Sequence, residues 1–362
     1  MAYFPKTLFD FLKLLKTHNI KARLVGGCVR DFLLNLPTTD FDIAVAVPVL
    51  KLKEFLKKEK IFTYDLGLDF GSLGVLYKGA KIEATSLRKD SYFESRHPVV
   101  VFTRSFIKDS KRRDFTFNAL YMDEEGKIFD PSKKGLKDLK EGRVRFIGNP
   151  KNRIEEDPLR ILRFFRFYAF YGRVKPDLNT LKHLQAQKET LSALSKERIH
   201  QEILKLLNAP DPYEALLLMK ETKVFEFFFK GTLPQKEMFL KLSPLLRFYC
   251  LLNGNLQNLE TSWRFCKKDK KKLRFFNKIQ YDYQQYGLIY SLYYHEKEAV
   301  LEMSALLEKD PLTMLQTIRS WQKPAPPFCV EDFLKVLPNS GFAYKAFKEK
   351  EKAWVLTLKK DG

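Results

Sequence analysis

The feature that most constrains the fold of this sequence is a change in its hydrophobic pattern near residue 150. Before that point, helical spacing of apolar residues alternates with short strand-like segments, whereas the remainder has an almost wholly helical pattern. Because sheets and helices must each bury an apolar face, this order predicts an α/β head joined to a helical body. The 362 residues are also too many for one core, which favours two or more domains.

The pattern also predicts individual elements. In the first part we expect a helix over residues 5–19, a turn at Gly79, and strands over residues 22–25, 41–45, 73–77, 81–85 and 118–122. In the second part we expect helices over residues 156–170, 178–187, 196–207 and 213–222. Three prolines, Pro176, Pro210 and Pro212, lie between these helices, where proline interrupts no helical hydrogen bond.

The charge balance points to a polyanionic partner. The chain has 65 Lys and Arg against 44 Asp and Glu, a formal net charge of +21. Such an excess is typical of nucleic-acid binding and, less often, of binding to an acidic membrane surface. No apolar run approaches the roughly 20 residues of a membrane helix, and the first residues lack the features of a signal peptide. We therefore expect a cytoplasmic protein with no membrane partner.

The cysteines predict neither a disulfide framework nor a zinc site. The four of them are scattered along the chain and form no CxxC pair, and histidines are not clustered. We expect free thiols at Cys28, Cys250, Cys266 and Cys329.

The strongest local motif is a glycine pair between a predicted strand and a predicted helix, in residues 24–31, LVGGCVRD. Gly26 and Gly27 would let backbone amides approach a phosphate, and Arg30 would face the same anion. For an isolated glycine pair, an ordinary tight turn between a strand and a helix is the more common explanation.

Two aspartates follow nine residues later on the next predicted strand. Asp40 and Asp42 are two positions apart, so their carboxylates leave the same face and can share divalent cations. Hard oxygen ligands suit Mg²⁺, and two metals held in this way would support an in-line displacement on a triphosphate. A DxD motif taken alone more often lies on the solvated surface, but the neighbouring glycine turn favours the metal site. Glu83 is either a third carboxylate near the metals or a paired structural acid.

A third motif, RRDFTFNA, occupies residues 112–119. Arginine binds phosphate in a bidentate manner, so this arginine pair beside catalytic carboxylates would suit a triphosphate. Asp114 and Asn118 are the polar groups of the same segment, and we include them with Arg113 among the nucleotide-binding candidates. An arginine pair on a solvated helix end is the alternative.

The fourth motif, NRIEEDPLRILRFFRF, spans residues 152–167 and places Asp157 and Arg160 three residues apart on the predicted first turn of a helix. Cytosine and adenine both present an amine donor beside a ring-nitrogen acceptor, whereas guanine and uracil present the reverse order. An Asp acceptor beside an Arg donor therefore selects C and A, since a mismatch leaves polar groups unsatisfied. Glu156 can hold the Arg160 guanidinium in place. A salt-bridged helix face is the alternative.

Together and in this order, GGCVRD, DFD, RRDFTFNA and EDPLRILRFFRF resemble the class II tRNA nucleotidyltransferases, or CCA-adding enzymes, and the related bacterial poly(A) polymerases. The similarity spans about residues 20–207. It implies an α+β fold, with a polymerase β-like nucleotidyltransferase head that contains a five-stranded antiparallel or mixed sheet. All-helical neck, body and tail domains would follow the head.

The resemblance also implies roles for individual residues. Asp40 and Asp42 would be the catalytic metal ligands, with Mg²⁺ as the cofactor. Nucleotide contacts would come from Gly27, Arg30, Arg113, Asp157, Arg160, Arg163 and Arg166. The implied domains are a catalytic head over residues 1–148, a base-selecting neck over 149–225, and a tRNA-binding body and tail over 226–362.

The implied function is addition of C and A nucleotides from CTP and ATP to the 3′ end of tRNA, with no DNA partner. Residues 88–98 are similar to a loop that CC-adding enzymes shorten, which argues against a CC-only enzyme. An A-adding enzyme or a poly(A) polymerase remains the alternative within the same chemistry. A non-catalytic RNA-binding protein is the alternative outside it, although intact Asp40, Asp42 and Arg113 weigh against it.

Overall fold

The strands of the protein all lie between residues 22 and 129 in the part of the chain that the structure describes. The structure is a computed structural model that describes residues 4–91, 99–229, 231–252, 263–307, 311–336 and 340–358. It divides into two compact units, one of residues 1–194 with 218–224 and one of residues 195–217 with 225–362. Within the described ranges, no helix combines the length and the hydropathy needed to cross a membrane.

The first unit is built on a mixed sheet. The strands are β1 (Ala22–Val25), β2 (Phe41–Val45), β3 (Phe62–Asp65), β4 (Ser72–Tyr77), β5 (Ala80–Ser86), β6 (Arg88–Ser91), β7 (Val99–Phe102), β8 (Tyr121–Met122) and β9 (Ile128–Phe129). Seven of them form one sheet in the order β3-β4-β5-β2-β1-β8-β9, while β6 and β7 form a separate antiparallel pair. Strands β2 and β5 are parallel, and the other neighbours are antiparallel.

The five-stranded sheet implied by the sequence is therefore too small for the described residues. The sheet is wider because β3 pairs with β4 on one side, while β8 pairs with β1 on the other side and forms a short hairpin with β9. The predicted strand over residues 118–122 is also partly wrong. Residues Thr116–Ala119 form a 3-10 helix, and only Tyr121–Met122 belong to the sheet.

Helices complete the first unit. They are α1 (Lys6–Thr17), α2 (Gly27–Leu33), α3 (Val49–Lys58), α4 (Phe106–Arg112), α5 (Gly135–Glu141), α6 (Pro150–Glu156), α7 (Leu159–Tyr171) and α8 (Leu178–Ala186). Helix α1 shows why the pattern predicted them, since its apolar residues Leu8, Phe11 and Leu15 recur at helical spacing and are fully buried.

The predicted helix over residues 156–170 is two helices in the structure. Helix α6 ends at Glu156, and α7 begins at Leu159. The cause is Pro158, because a proline disfavours helical geometry in the residue before it, and Asp157 is extended with φ −152° and ψ 102°. Asp157 therefore precedes the helix that carries Arg160, instead of lying on its first turn.

The described residues of the second unit form helices and connecting segments. The helices that lie wholly within this unit are Lys196–Leu207, Phe225–Phe228, Lys236–Lys241, Pro244–Leu251, Lys267–Tyr286, Leu288–Tyr294, Lys297–Leu307, Pro311–Ser320, Val330–Leu334 and Ser340–Thr357. Helix Tyr213–Glu221 runs across the division between the two units. Aromatic side chains fill much of this core, with Phe229, Phe248 and Trp263 in mutual contact.

Candidate active site

The glycine turn lies between β1 and α2, and two charged side chains lie close to it. Gly26 has φ 79°, which favours glycine. A Cβ at this position would lie 3.5 Å from Nη1 of Arg113 and 3.9 Å from Oδ2 of Asp42. The glycine turn, the second arginine of the RRD motif and the second acid of the DFD motif therefore meet at one place.

Asp42 has two further carboxylates, Asp40 and Glu83, in its neighbourhood. Asp42 lies on β2 and is half-buried, Asp40 immediately precedes the strand, and Glu83 on β5 is the direct parallel partner of Asp42. Burial raises the pKa of Asp42 to about 6, and the charges of Glu83 and Asp40 act in the same direction, while Arg113 opposes them. A bound cation would relieve this repulsion.

The carboxylates fit a cation that is completed by other ligands. Within the described ranges, no group of three or more His, Cys, Asp or Glu residues is arranged closely enough to enclose a metal ion. Mg²⁺ commonly binds through one or two protein carboxylates together with water and substrate phosphates. Asp40 and Asp42 match this arrangement, and Glu83 is near enough to act on Asp42 electrostatically.

Arg113 is held from one side. Its Nε lies 3.3 Å from Oδ2 of Asp109 and 3.3 Å from the hydroxyl of Tyr121, while its Nη2 lies 3.2 Å from the same Asp109 oxygen. Its Nη1 is the nitrogen near Gly26. The guanidinium thus turns one edge toward a buried acid and its opposite end toward the glycine turn.

A buried polar network connects the predicted nucleotide-binding residues. Arg30 donates from Nη1 to Oδ1 of Asn118 at 2.7 Å, and Asn118 donates to Oδ1 of Asp114 at 3.1 Å. Oδ2 of Asp114 accepts from Nε of Arg163 at 2.7 Å. Burial alone would raise the pKa of Asp114, but Arg163 and the hydrogen bond from Asn118 lower it to about 2. The network therefore ties α2, the RRD segment and α7 together.

Arg30 has further partners on its other side. Its Nε and Nη2 donate to the carboxylate of Asp31 at 2.9 and 3.0 Å, and its guanidinium carbon lies 4.5 Å from the ring centre of Tyr171. Gly27 is adjacent, since a Cβ there would lie 3.6 Å from Nη2 of Arg30. These contacts hold the Arg30 side chain beside the glycine turn. Its contact with a nucleotide stays a prediction.

The EDPLR motif of residues 156–160 lies against the RRD segment. Nη1 of Arg160 donates to Glu156 at 2.7 Å, the ion pair that the sequence predicted, and Nη2 donates to the carbonyl of Arg112 at 3.0 Å. The carboxylate of Asp157 accepts from the backbone amide of Leu159 at 3.2 Å, at the start of α7. Arg163 and Arg166 follow along α7, each over the ring of Phe167 at 5.3 and 4.2 Å.

Sequence reasoning missed three residues of this region. Asp109 is fully buried and contacts Arg113, Tyr121 contacts both of them, and Arg153 donates to the carbonyls of Arg112 and Arg113 at 2.5 and 2.7 Å. The signal for Asp109 was available, because it lies three and four residues before the two arginines on one helix. The roles of Arg153 and Tyr121 depend on contacts across the fold.

Two expectations concern other parts of the chain. The loop over residues 88–98 lies partly outside the described residues, because 92–98 are not among them. In the second unit most aromatic residues are core as expected, although Tyr281 is 56% exposed. On helix Lys267–Tyr286 the apolar Leu273, Phe276 and Ile279 are buried, whereas Lys267, Lys268, Lys271 and Lys278 are exposed.

Two regions of the chain match known protein families. Residues 22–145 match the Poly A polymerase head domain, and residues 174–236 match the probable RNA and SrmB-binding site of polymerase A. The first of these regions contains the carboxylates, the glycine turn and the RRD motif.

Curated relatives are similar over longer stretches. The CCA-adding enzyme of Ligilactobacillus salivarius is 38% identical over 224 residues, which are 61% of this chain and 54% of that protein. The CCA-adding enzyme of Staphylococcus saprophyticus is 30% identical over 318 residues, which are 84% of this chain and 77% of that protein. The chain therefore spans about half of the first relative and about three quarters of the second.

Solved structures share the fold. The CCA-adding enzyme of Bacillus stearothermophilus in complex with CTP has a TM-score of 0.71 and 24% identity, with 99% of this chain and 98% of that chain covered. The Thermotoga maritima CCA-adding enzyme complexed with tRNA has a TM-score of 0.65 and 22% identity, with 88% and 83% covered. These similarities confirm the predicted α+β fold with a polymerase head.

Proposed function

Because the chain belongs to the family of the CCA-adding enzymes, we propose that it adds C and A nucleotides from CTP and ATP to the 3′ end of tRNA without a nucleic-acid template. The observation that carries this proposal is the meeting of Gly26, Arg113 and Asp42 within 4 Å of one position. In this proposal residues 1–148 carry catalysis, 149–225 select the base, and 226–362 bind tRNA.

Asp40 and Asp42 would hold Mg²⁺, with Glu83 adding negative charge beside them. When bound, the metal would favour the deprotonated 3′ hydroxyl and neutralise the leaving pyrophosphate. Burial raises the pKa of Asp42 to about 6, and a bound cation would favour its ionised form. Three features suit Mg²⁺. The ligands are carboxylate oxygens, they repel one another in the absence of a cation, and they lie near Arg113.

Three arginines, Arg113, Arg163 and Arg166, would bind the triphosphate. Arg113 presents Nη1 beside the glycine turn, and the α7 residues Arg163 and Arg166 add positive charge next to the same buried network. Arginine suits this task because its charge persists at every physiological pH and its fork matches phosphate oxygens. Gly26 and Gly27 carry no side chain, which leaves room for the phosphates to approach the backbone.

Asp157 and Arg160 would read the base. Glu156 and backbone carbonyls orient the Arg160 guanidinium, and the extended backbone at Asp157 places its carboxylate at the beginning of α7. Their acceptor and donor would pair with the amine and the ring nitrogen that cytosine and adenine share. A protein template of this kind explains selection of two bases without a nucleic-acid template.

The exposed lysines of helix Lys267–Tyr286 would contact the tRNA backbone. They stand opposite the buried apolar side of the same helix, so they are available to a polyanion. Phosphate contacts carry no sequence information, which suits an enzyme that acts on every tRNA. Replacing Lys267, Lys268 and Lys271 with glutamate should therefore weaken tRNA binding and reduce its salt dependence, with CTP binding unchanged.

Incubation with defined tRNAs tests the function. The purified protein is given tRNAs that end before CCA, at CC and at CCA, with each nucleoside triphosphate separately and with CTP and ATP together. We expect C on the first tRNA, A on the second, none on the third, and a complete CCA end when both triphosphates are present.

Other products would point to the alternatives. A long A tract would indicate a poly(A) polymerase, and addition of A alone to tRNA ending in CC would indicate an A-adding enzyme. Binding of tRNA without any incorporation would indicate a non-catalytic RNA-binding protein and would contradict the proposal.

A further inference from the structure

A buried acid behind the site contacts both arginines of the RRD motif. Asp109 on α4 has no solvent exposure. Its Oδ1 accepts from Nε of Arg112 at 2.8 Å and from the backbone amide of Arg88 at 3.2 Å. Its Oδ2 accepts from the hydroxyl of Tyr121 at 2.8 Å and lies 3.2 Å from Nη2 of Arg113. Both oxygens of this carboxylate are fully engaged.

The contacts to Arg113 are directional. Nε and Nη2 share one edge of the guanidinium, and both lie against the same oxygen of Asp109, at 3.3 and 3.2 Å. The remaining nitrogen, Nη1, lies beside the glycine turn, 3.5 Å from the position of a Cβ on Gly26. Two contacts along one edge of a planar guanidinium restrict its rotation and so favour one direction for its other end.

Tyr121 couples this arrangement to the sheet. It lies on β8 opposite Val25 of β1, the residue immediately before the glycine turn. Its ring is fully buried in a cluster with Val25, Ala44 and Leu87, and its hydroxyl contacts both Asp109 and Arg113. The strand that ends in the glycine turn and the group that directs Arg113 are therefore adjacent.

Without Asp109, a second acid would compete for Arg113. Asp42 is already near enough to Arg113 for their charges to interact. If the buried edge lost its acceptor, the guanidinium would be free to turn toward Asp42 and pair with it. Such a pair would remove a cation from the triphosphate and occupy a carboxylate needed for metal binding.

We propose that Asp109, supported by Tyr121, is a positioning residue that keeps the Arg113 guanidinium available to the nucleotide triphosphate and out of a direct ion pair with Asp42. This proposal rests on the proposed function, since it takes Arg113 as a triphosphate contact. Asp109 itself touches no substrate, and its whole effect passes through Arg113.

The test compares nucleotide binding with and without the triphosphate. The affinities of CTP and CMP are measured for the wild type, for Asp109→Asn and for Tyr121→Phe, together with kcat/KM for CTP on a tRNA that lacks CCA. Removing a partner that orients a site residue commonly costs about 10- to 100-fold in activity, and we expect a loss of this size in Asp109→Asn. Tyr121→Phe should lose about 5-fold, the value of one hydrogen bond. In both variants the preference for CTP over CMP should fall.

A double variant separates positioning from a general structural role. If Asp109 acts only through Arg113, then Asp109→Asn should produce no further loss of kcat/KM in an Arg113→Ala background. Asp282→Asn is the matched control, because Asp282 is also a buried acid, paired with His295 at 2.8 Å in the second unit. This control should lower the melting temperature and leave the ratio of CTP to CMP affinity unchanged.

Three results would overturn the proposal. One is an unchanged CTP to CMP ratio in Asp109→Asn, another is a further large loss from Asp109→Asn in the Arg113→Ala background, and the third is a reduced ratio in Asp282→Asn. Tyr121→Phe keeps the test available if Asp109→Asn fails to fold. A wild-type protein that binds CTP better than CMP but extends no tRNA would contradict the proposed function alone, because the binding ratios still test the positioning of Arg113.

Discussion

Two arginines in the two units illustrate different uses of the same side chain. Arg247 in the second unit is 6% exposed and donates to four backbone carbonyl oxygens, those of Leu207, Ala209, Phe239 and Leu240. Arg113 in the first unit has an acid along one edge and its remaining nitrogen beside a glycine turn. Arg247 joins chain segments, whereas Arg113 is held in place so that one end stays available.

The difference teaches how to recognise a site arginine. In Arg247 all three guanidinium nitrogens donate to backbone carbonyls, so this side chain satisfies buried acceptors of the chain itself. A guanidinium that is oriented by a buried acid and faces other charged groups is prepared for an anion that arrives later. The predictions below test this contrast, beginning with the largest effect.

The carboxylates should show the largest effect. Asp42→Ala or Asp40→Ala should lower nucleotide incorporation by more than about 1000-fold, because the metal would lose a ligand. Affinity for tRNA should change little, since basic surface holds the RNA. Incorporation of labelled CTP and a tRNA binding assay measure the two effects. Substantial incorporation by either variant would contradict the metal site.

Replacing Arg113 and replacing Arg247 should impair different properties of the protein. Arg113→Ala should lower kcat/KM for CTP by about 100-fold or more, which is the expected cost of removing a charged contact to the transition state. Arg247→Ala should instead destabilise the protein by about 3 kcal/mol, because buried carbonyls lose their donors. Denaturant unfolding and steady-state kinetics measure both quantities in each variant. If Arg247→Ala impairs kcat/KM while stability is unaffected, the contrast is wrong.

Asp157 should affect specificity more than rate. Asp157→Ala removes the acceptor for the exocyclic amine, so the preference for CTP and ATP over UTP and GTP should fall by about 10-fold. A salt-bridged helix face would instead lower the melting temperature and leave the preference intact. Values of kcat/KM for all four triphosphates distinguish these outcomes.

The smallest expected effect is on the acid stability of the fold, and it depends on Asp114. Its pKa of about 2 lies below the ordinary value of 3.8, so its ion pair with Arg163 stabilises the fold above pH 3.8. This stabilisation, about 2 kcal/mol, should disappear as the pH falls from about 4 to about 2. Asp114→Asn should therefore show a flatter decline in unfolding free energy over this range than the wild type does. Equal slopes would show that the pair contributes no acid sensitivity.

The sequence predicted the parts of the site that depend on local geometry. Strands Ala22–Val25 and Phe41–Val45 have the predicted bounds, because a glycine turn ends one and a short run of buried apolar residues marks the other. The Glu156 and Arg160 pair follows from helical spacing and is present even though a proline interrupts the helix. The family resemblance and the fold class are confirmed.

The remainder depends on contacts that no local pattern encodes. Glu83 is opposite Asp42 because β5 joins β2 in parallel, and a parallel register cannot be read from either strand alone. Tyr121 was expected in a strand, but its contacts with Asp109 and Arg113 arise only when β8 lies beside β1. The assigned nucleotide and metal contacts remain predictions.

The strand order has a consequence for how the protein forms during synthesis. Strand β1 lies between β2 and β8, and β8 comes from a much later part of the chain. Pairing between distant segments is slow, because the chain between them must first be closed into a loop. Gly26 and Asp42 can come together early, but Arg113 contacts Tyr121 only after that residue has left the ribosome. A nascent chain should therefore bring its acids together before its arginines, and nucleotide binding should begin only after α7 has followed β8 out of the ribosome.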